Sequence, residues 1–328
     1  MPARVPAIDR LRAVALILML VHHFTKWLAG DVHGIIPGWD GFVLTDLAAP
    51  AFTIAAGTSA VLYAMLKRPA TLTIVRRYGM LVPTGMLLQW LFTSHVPFDW
   101  GVLQALGVGV VVSTIVALAV QSPTVMAVFA AFALVTGPIV EHIAEQHTGR
   151  LADVLGGVFP LVTYTGFALV GATGGLLLLR NPDRGGQALA AGGALAVVAL
   201  VMLEAGIEPD RYPGGTAFII PGIAGTLLLF GALDRVKTMP AAFGNHTLGI
   251  FLAHYAVCWL ITQYGWRDSL EPATALAVAF GFTALFALAA PHVPQLPWSP
   301  RTGWARRQKR VASSAAYRAT TASVSAVR

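Results

Sequence analysis

Charged side chains are scarce in this sequence. Only 11% of the 328 residues are Asp, Glu, Lys or Arg, whereas 56% are hydrophobic and the mean hydropathy is +0.69. Soluble domains average about 25% charged residues, so this composition excludes an ordinary soluble protein and predicts an integral membrane protein. The formal net charge of +7 would fit a nucleic-acid partner, but the placement of the basic residues, described below, argues against one.

Cysteine and several common functional signatures are also missing. Cys258 is the only cysteine, which excludes an intramolecular disulfide, and its apolar surroundings indicate a packed side chain. The sequence contains no Walker-type phosphate loop and no long polar segment that would form a soluble domain. A metal site that combines His22 and His23 with a third histidine would lack any diagnostic spacing, so we expect no metal. Charges within the first apolar segment argue against a cleaved signal peptide.

Long apolar segments dominate what is present. A bilayer is spanned by about 20 apolar residues, and ten segments fit that length. They lie near residues 8–30, 43–66, 74–94, 101–121, 123–142, 153–179, 186–206, 215–233, 244–264 and 271–290. The predicted fold is an all-α integral membrane protein, a polytopic bundle of about ten transmembrane helices. We assign residues 1–290 to this domain and the basic residues 291–328 to a disordered cytoplasmic tail.

The basic residues are distributed unevenly among the connecting segments. If the N-terminus lies in the cytoplasm, 18 of the 22 Lys and Arg residues fall in cytoplasmic segments. The four others are Lys26, Arg150, Arg211 and Arg267. Because cytoplasmic loops of membrane proteins carry an excess of Lys and Arg, this asymmetry predicts that both termini lie in the cytoplasm. It also accounts for the positive charge without a nucleic-acid partner.

The first predicted span carries ionisable side chains in an otherwise apolar segment. They are Asp9, Arg12, His22, His23 and Lys26. Such groups are costly in hydrocarbon and usually face a protein interior or a wet cavity. At about 100° per residue, Arg12 and His23 share one helix face and lie about 16 Å apart along the axis. His22 points about 100° away and is expected to be a structural partner, whereas the Arg12–His23 stripe predicts the lining of an active-site channel.

The chemistry of this stripe allows more than one function. Imidazole titrates near neutral pH, so His23 suits a general base, and the guanidinium of Arg12 suits a phosphate. A phosphate anchor about 16 Å from a base fits a long phosphorylated carrier such as coenzyme A. A proton relay in a transporter fits the same geometry. An interhelical hydrogen bond would also satisfy His23 without any catalytic role.

Several segments resemble a known family. IDRLRAVALILMLVHH at residues 8–23 is similar to the first helix of the transmembrane acyltransferases, in which an Arg or Lys is followed by ten residues and a His, as Arg12 and His23 are here. Three further stretches resemble the heparan-α-glucosaminide N-acetyltransferase branch. They are W-D-G with L-T-D-L at 39–47, P-A-F with G-T-S at 50–59, and G-V-L-Q at 101–104. FGNHTLGIFLAHY at 243–255 resembles a late helix that often carries a His where His254 stands.

The resemblance implies transfer of an acyl group, usually acetyl from coenzyme A, to a hydroxyl or amine of a glycan or similar acceptor. It implies His23 as general base or acyl carrier, with His33 a lesser candidate, and Asp46 as a group that orients an imidazole or binds the acceptor. The phosphates of the donor would lie near Arg12 and near Arg76 or Arg77. Asp40, Gln104, Asn245 and His254 are the candidates for acceptor binding or for stabilising the oxyanion.

The sequence departs from this family at two places. Its animal members have a catalytic His three residues before the W-N-G motif, where this sequence has Ile36 and the nearest histidine is His33. The acyltransferase-3 group has an R-x-x-R motif after the second span, where this sequence has only the adjacent pair Arg76 and Arg77. These departures favour His23 over His33 and leave the second phosphate anchor loosely defined.

The leading hypothesis is therefore a multi-pass, acetyl-CoA-dependent acyltransferase of a bacterial plasma membrane. A homo-oligomer is compatible with the sequence. A proton-coupled transporter or flippase that uses the same buried stripe is the alternative, although the sequence lacks the two-half repeat of many transporters. A small-ligand sensor or assembly factor would bind without turnover, and no signalling output domain supports it.

Overall fold

The computed structural model describes residues 5–30, 36, 38–39, 42–93, 100–181, 184–207, 216–236 and 246–292. Almost all of these residues are helical. In chain order the elements are α1 (Pro6–Ala29), β1 (Gly38–Trp39), β2 (Phe42–Val43), a 3₁₀ helix (Leu44–Leu47), α2 (Ala48–Lys67), α3 (Thr71–Gly79), α4 (Leu81–Leu88), a π-helical turn (Gln89–Thr93), α5 (Val102–Val120), α6 (Pro123–Glu145), α7 (Arg150–Gly156), α8 (Leu161–Arg180), α9 (Gly185–Glu204), α10 (Thr216–Arg235), α11 (Thr247–Gln263), α12 (Pro272–Ala289) and a final 3₁₀ turn (Ala290–His292). The two short strands pair antiparallel. The predicted tail falls mostly outside the described residues, from 293 onward.

Helices long and apolar enough to cross a membrane confirm the predicted fold class. Within the described ranges there are seven: Leu44–Lys67, Val102–Val120, Pro123–Glu145, Arg150–Arg180, Gly185–Glu204, Ala217–Arg235 and Pro272–Ala289. The other three predicted spans are also helical and correspond to α1, to α3 with α4, and to α11. Of these, α1 carries four charged residues and α11 is only 17 residues long, so their hydropathy or length falls below that of the seven. The protein is an all-α polytopic membrane protein.

Two of the predicted spans are interrupted helices rather than single ones. The segment predicted at 74–94 turns at Met80, which separates α3 from α4, and continues as a π-helical turn. The segment predicted at 153–179 is broken between Gly156, where α7 ends, and Leu161, where α8 begins. Pro160 lies in this break. Proline has no N–H to donate and restricts the residue before it, so a helix ends readily at this point.

The short turn between the fourth and fifth predicted spans has clear local causes. Gln121 ends α5 in the left-handed conformation, with φ of 52°. Ser122 caps α6, since its hydroxyl accepts a hydrogen bond from the Val125 N–H, and Pro123 is the first residue of that helix. A polar N-cap followed by proline is a favoured helix start.

Small residues bring α2 and α8 together at the centre of the bundle. A Cβ added at Gly57 would clash with the backbone of Ala168, and one at Gly171 would clash with the backbone of Ile54. The Thr58 hydroxyl lies 2.9 Å from the Gly171 carbonyl oxygen. Close backbone approach of this kind is how transmembrane helices gain packing energy in lipid.

Both ends of α1 are attached to other helices, which fixes the position of its polar residues. Near the start, Arg10 donates to the Leu233 carbonyl of α10 at 3.0 Å. Near the end, the carbonyls of Trp27 and Leu28 accept backbone hydrogen bonds from Asp268 and Leu270, in the loop between α11 and α12. The helix therefore sits inside the bundle, packed against α2, α10, α11 and α12.

One end of the bundle collects most of the described basic residues, and we call it the basic end. It comprises the start of α1, the end of α2, the short helix α3, the end of α8, the start of α9 and the end of α10. Its members are Arg10, Arg12, Lys67, Arg68, Arg76, Arg77, Arg180, Arg184 and Arg235. Lys26, Arg150 and Arg267 belong to helix ends and loops on the other side.

Candidate functional site

A cavity of about 230 Å³ lies beside the second half of α1, and we call it the histidine cavity. Residues from α1, the 3₁₀ helix, α2, the π-helical turn, the start of α5, the loop before α8 and α11 surround it. Its lining residues are Met19, His22, His23, Lys26, Trp27, Thr45, Asp46, Ala48, Ala49, Phe52, Gln89, Val102, Val158, Phe159, Phe251, His254, Tyr255 and Cys258. Several polar side chains thus converge on a cavity whose remaining wall is mainly apolar, and small-molecule sites usually have this character.

The central feature of this cavity is a pair of histidines from distant parts of the chain. The Nδ1 atom of His23 lies 2.8 Å from the Nε2 atom of His254. His254 is fully buried, and its Nδ1 atom lies 2.5 Å from the Phe251 carbonyl oxygen. The sequence motifs named both histidines separately, and the structure brings them into direct contact.

These contacts assign the protons of the neutral pair. A carbonyl oxygen only accepts, so the Nδ1 atom of His254 carries its proton and donates to Phe251. The Nε2 atom of a neutral His254 is then the acceptor, and His23 donates to it through Nδ1. The unprotonated ring nitrogen of His23 is therefore Nε2. A nitrogen of this kind accepts a proton or attacks a carbonyl carbon.

His22 also lines the cavity, on the side of the 3₁₀ helix. Its Nδ1 atom lies 2.8 Å from the Thr45 hydroxyl oxygen and 3.9 Å from a carboxylate oxygen of Asp46. The other Asp46 oxygen accepts a hydrogen bond of 2.9 Å from the Val43 N–H. The imidazole beside Asp46 is thus that of His22, and the role assigned to Asp46 from the sequence remains a prediction. The helix geometry predicted His22 as a structural partner, and its contacts attach α1 to the 3₁₀ helix.

Gln89 is a cavity residue that sequence reasoning missed. It begins the π-helical turn after α4, and its side-chain oxygen is buried without a hydrogen-bond partner in the part of the chain that the structure describes. π-helical turns are rare and occur often at functional sites. A lone amide in the apolar run around residues 81–92 was the available signal.

Gln104, one of the candidates for acceptor binding or oxyanion stabilisation, is buried outside the cavity. It lies between α4 and α5, where its side-chain oxygen occupies the space that a Cβ on Gly85 would need. Gln104 does not belong to the cavity lining, whereas its neighbour Val102 does. The structure therefore places Gln104 in the interface between α4 and α5.

A second polar group lies at the basic end of α1. Arg12 contacts Asp9 at 3.3 Å, and the guanidinium of Arg77 lies 4.5 Å from the centre of the Tyr63 ring. Tyr78 is close enough to both arginines to interact with them electrostatically. Its hydroxyl is buried and has no hydrogen-bond partner among the described residues. Arg76, the other predicted phosphate ligand, is exposed on α3 and forms no part of this group.

The helix face between the two polar groups is closed. Leu16 and Met19 lie on the face that joins Arg12 to His23, and both side chains are buried. The predicted channel along this stripe is therefore filled by side chains. Only its end near His23, at Met19, reaches the histidine cavity.

Three of the predicted site residues lie outside the described residues. These are His33, Asp40 and Asn245. The roles assigned to them from the sequence remain predictions.

Comparison with known proteins gives one informative result. The profile of the catalytic domain of heparan-alpha-glucosaminide N-acetyltransferase matches residues 4–203, which is 200 of the 328 residues. A comparison with curated proteins finds no match. The matched range includes His22, His23 and Asp46 and extends into α9, whereas His254 lies beyond it. The chain therefore belongs to the heparan-alpha-glucosaminide N-acetyltransferase family of membrane acetyltransferases.

Proposed function

We propose that this protein transfers an acetyl group from acetyl-CoA to a hydroxyl or amine of a glycan or other small acceptor, with His23 as the reactive group. The observation that carries the proposal is the contact between His23 and His254 inside the histidine cavity. It fixes the imidazole of His23 in the tautomer whose Nε2 atom is basic. Family membership supports the reaction class.

The proposed reaction in its direct form is as follows. His23 takes the proton of the acceptor hydroxyl or amine at Nε2, while the acceptor oxygen or nitrogen bonds to the acyl carbon. The C–S bond of the thioester breaks, and His23 returns the proton to the sulfur. His254 keeps accepting from the Nδ1–H of His23 throughout, so it stabilises the imidazolium that forms.

A two-step form uses the same nitrogen. His23 would attack the acyl carbon through Nε2, the thiolate would leave, and an N-acyl imidazolium that keeps its Nδ1–H would form. The acceptor would then attack that acyl group, its proton would pass to the thiolate, and neutral His23 would be regenerated. In this form His254 sets the orientation of the ring in both steps. The two forms differ in whether the protein itself carries labelled acetyl in the absence of acceptor.

The basic end of α1 supports coenzyme A as the carrier. Arg12 and Arg77 supply two permanent positive charges near Tyr78, whose buried hydroxyl has no partner among the described residues. Guanidinium groups and a hydroxyl are the donors that phosphate prefers. Arg12 and His23 are separated by about 16 Å along the helix, so the carrier must be long. Leu16 and Met19 must move aside before its arm reaches the cavity.

The membrane arrangement follows from the charge distribution. Since cytoplasmic loops are enriched in Lys and Arg, the basic end would face the cytoplasm, and both termini would lie there. The donor would then enter from the cytoplasm and the acceptor from the opposite side, where the histidine cavity lies. A bacterial plasma membrane is the proposed location.

Transfer of radiolabelled acetyl from acetyl-CoA to a panel of amino sugars and hydroxylated glycans would test the proposal. Purified protein in lipid nanodiscs would be compared with His23→Ala and with His142→Ala, which changes an exposed histidine on α6. We expect His23→Ala to lose at least about 100-fold in rate, since general bases contribute about 10² to 10⁴, and His142→Ala to match the wild type. Full activity in His23→Ala would remove His23 from its role.

The transporter alternative has its own readout. It predicts flux driven by a pH gradient in liposomes and no binding of coenzyme A. Proton-driven flux together with the absence of acetyl transfer would overturn the proposal.

A further inference from the structure

A second, larger cavity lies among α1, α2, α6, α8, α9 and α10, away from the histidine cavity. Its volume is about 440 Å³, and its wall is formed mainly by aliphatic side chains. We call it the apolar groove and define it by Ala131, Leu134, Gly174, Leu177, Ala191 and Phe230. It shares no lining residue with the histidine cavity. A volume of this size lies in the range of about 300–1,000 Å³ that ligand sites occupy.

The groove opens between α6 and α9. Helix α9 packs chiefly on α10, and α6 packs chiefly on α8, so a gap is left between the two pairs. Ala131 and Ala191 are exposed at this gap. Because α6 and α9 are both candidate membrane spans, the opening faces hydrocarbon rather than water.

The interior of the groove is suited to an alkyl chain. The hydroxyls of Thr58, Thr173 and Thr226 lie in its wall, and each donates to a backbone carbonyl of its own helix. Gly174 leaves room at the centre, since a Cβ there would meet only the Thr58 hydroxyl, at 3.7 Å. An alkyl chain is already in an apolar environment when it lies in the bilayer, so moving it into the groove gains only packing energy. Selectivity for one lipid must therefore come from the polar end of the groove.

That polar end is formed by Arg184 and Gln187. The Nη1 atom of Arg184 donates to the Gln187 side-chain oxygen at 2.7 Å. Its Nε atom is buried and has no hydrogen-bond partner within the residues that the structure describes. A buried guanidinium donor without a partner costs free energy, so an anionic acceptor at this position would be stabilised.

The neighbouring charges favour an anion. Arg10 and Arg235 lie at the same end of the bundle, and each donates to a carbonyl of α10. Asp234 lies against Gly185 at the start of α9, and Asp9 pairs with Arg12 on α1. Among the described residues, the basic end carries nine Lys and Arg side chains against these two carboxylates, so the rim of the groove is positive.

We propose that the apolar groove binds an anionic glycerophospholipid of the leaflet at the basic end. An acyl chain fills the groove past Gly174, and the phosphate accepts hydrogen bonds from Arg184. Guanidinium–phosphate hydrogen bonds are charge-assisted and specific, and anionic lipids are attracted to basic residues at the membrane surface. The basic tail of the chain is no competing occupant, because residues 293–328 carry seven Lys and Arg residues and would repel Arg184.

Binding of defined lipids to the full-length protein tests this proposal. Delipidated protein in detergent would be titrated with phosphatidylglycerol or with phosphatidylcholine of identical chains, and followed by native mass spectrometry and thermal unfolding. Arg184→Gln removes the phosphate donor, and Gly174→Leu fills the groove. Two variants serve as controls. Arg180→Gln changes an exposed arginine at the same end of the bundle, and Gly193→Leu changes a glycine of α9 where an added Cβ would meet nothing within 4 Å.

We expect the wild type and both control variants to bind phosphatidylglycerol more tightly than phosphatidylcholine and to be stabilised by it. Arg184→Gln should weaken phosphatidylglycerol binding about tenfold, the loss of one charge-assisted hydrogen bond, and abolish the preference over phosphatidylcholine. Gly174→Leu should weaken both lipids.

Three results would overturn the proposal. The first is equal binding of the two lipids by the wild type. The second is an identical stabilisation by inorganic phosphate alone, which would mean that no acyl chain is involved. The third is dissociation of a dimer on Gly174→Leu substitution, which would assign the groove to contact between two copies of the chain.

Discussion

The Nδ1 atom of His23 lies 2.8 Å from the Nε2 atom of His254, so the imidazole of His23 on α1 is held by a fully buried imidazole of α11. The Nδ1 atom of His254 donates a hydrogen bond to the Phe251 carbonyl oxygen. When both rings are neutral, only one arrangement of their protons is then possible. In the proposed reaction His254 is therefore a positioning residue, since it would act on the acyl transfer only through His23.

Substitution of His254 tests this positioning role. His254→Gln keeps a hydrogen-bond acceptor near the Nδ1–H of His23, whereas His254→Leu removes it at similar volume. We expect His254→Leu to lower kcat about tenfold or more, because an unsatisfied buried donor costs about 1–3 kcal/mol, and His254→Gln to recover most of it. The pH–rate profile should shift only in the leucine variant. Equal losses in both variants, with unchanged profiles, would limit His254 to a packing role.

Asp46 should contribute to stability through the start of the 3₁₀ helix. Its carboxylate accepts the Val43 N–H at 2.9 Å and lies 3.9 Å from His22. We expect Asp46→Ala to lower the free energy of unfolding by about 1–2 kcal/mol, the usual cost of a lost cap, and Asp46→Asn to retain most of the stability through its amide oxygen. Thermal unfolding in detergent measures both. A large loss in the asparagine variant would show that the negative charge beside His22 matters more than the hydrogen bond.

The positions of the membrane helices could be predicted from hydropathy alone, because about 20 apolar residues in a row leave few alternatives. The break at Met80 could not, since Met80 carries no signal of a turn, whereas Pro160 lies inside the predicted span and is itself a signal of a break. The Arg12–His23 register was also readable, because it depends only on the helical repeat.

Contacts between distant helices could not be predicted in this way. His23 and His254 are 231 residues apart, and spacing within one helix says nothing about its partner on another. The contact of His22 with the 3₁₀ helix could not be predicted for the same reason. The cavity extends around α1 as far as Asp46, so residues about 100° apart on the helix both line it. Gln104 was a candidate because it is polar within an apolar span, while the π-helical turn that places Gln89 at the cavity has no sequence signature.

Gln89 and Gln104 should therefore respond differently to substitution. Gln89 lines the histidine cavity, and its oxygen is buried there, so Gln89→Leu should raise the KM for the acceptor several-fold with little effect on thermal stability. Gln104→Leu should instead lower stability, since Gln104 is packed between α4 and α5 against Gly85. Steady-state kinetics and thermal unfolding of the two variants separate these effects. The reverse pattern would place the acceptor beside Gln104.

Tyr78 should affect the donor rather than the acceptor. Its hydroxyl is buried near Arg12 and Arg77, and Tyr78→Phe removes only that oxygen. Hydrogen bonds to charged groups contribute about 1.5–3 kcal/mol, so acetyl-CoA should bind about tenfold or more weakly. Arg76→Gln is the matched control, because Arg76 is an exposed neighbour on the same helix. Equal affinities for coenzyme A in Tyr78→Phe and the wild type would place the phosphates elsewhere.

The close approach of α2 and α8 should make Gly57 intolerant of any side chain. A Cβ on Gly57 would clash with the Ala168 carbonyl, and this obstacle is backbone, which does not move aside as a flexible side chain does. The two helices must separate to admit a methyl group, and overpacking of this kind costs about 1–3 kcal/mol. Gly193→Ala is the control, since it makes the same change in an open part of α9 and should raise helix stability slightly. We expect Gly57→Ala to lower the unfolding temperature and the yield of folded protein, and to lower acetyl transfer only in proportion to the folded fraction. If the alanine variant were as stable as the wild type, the two helices would not approach as closely as described here.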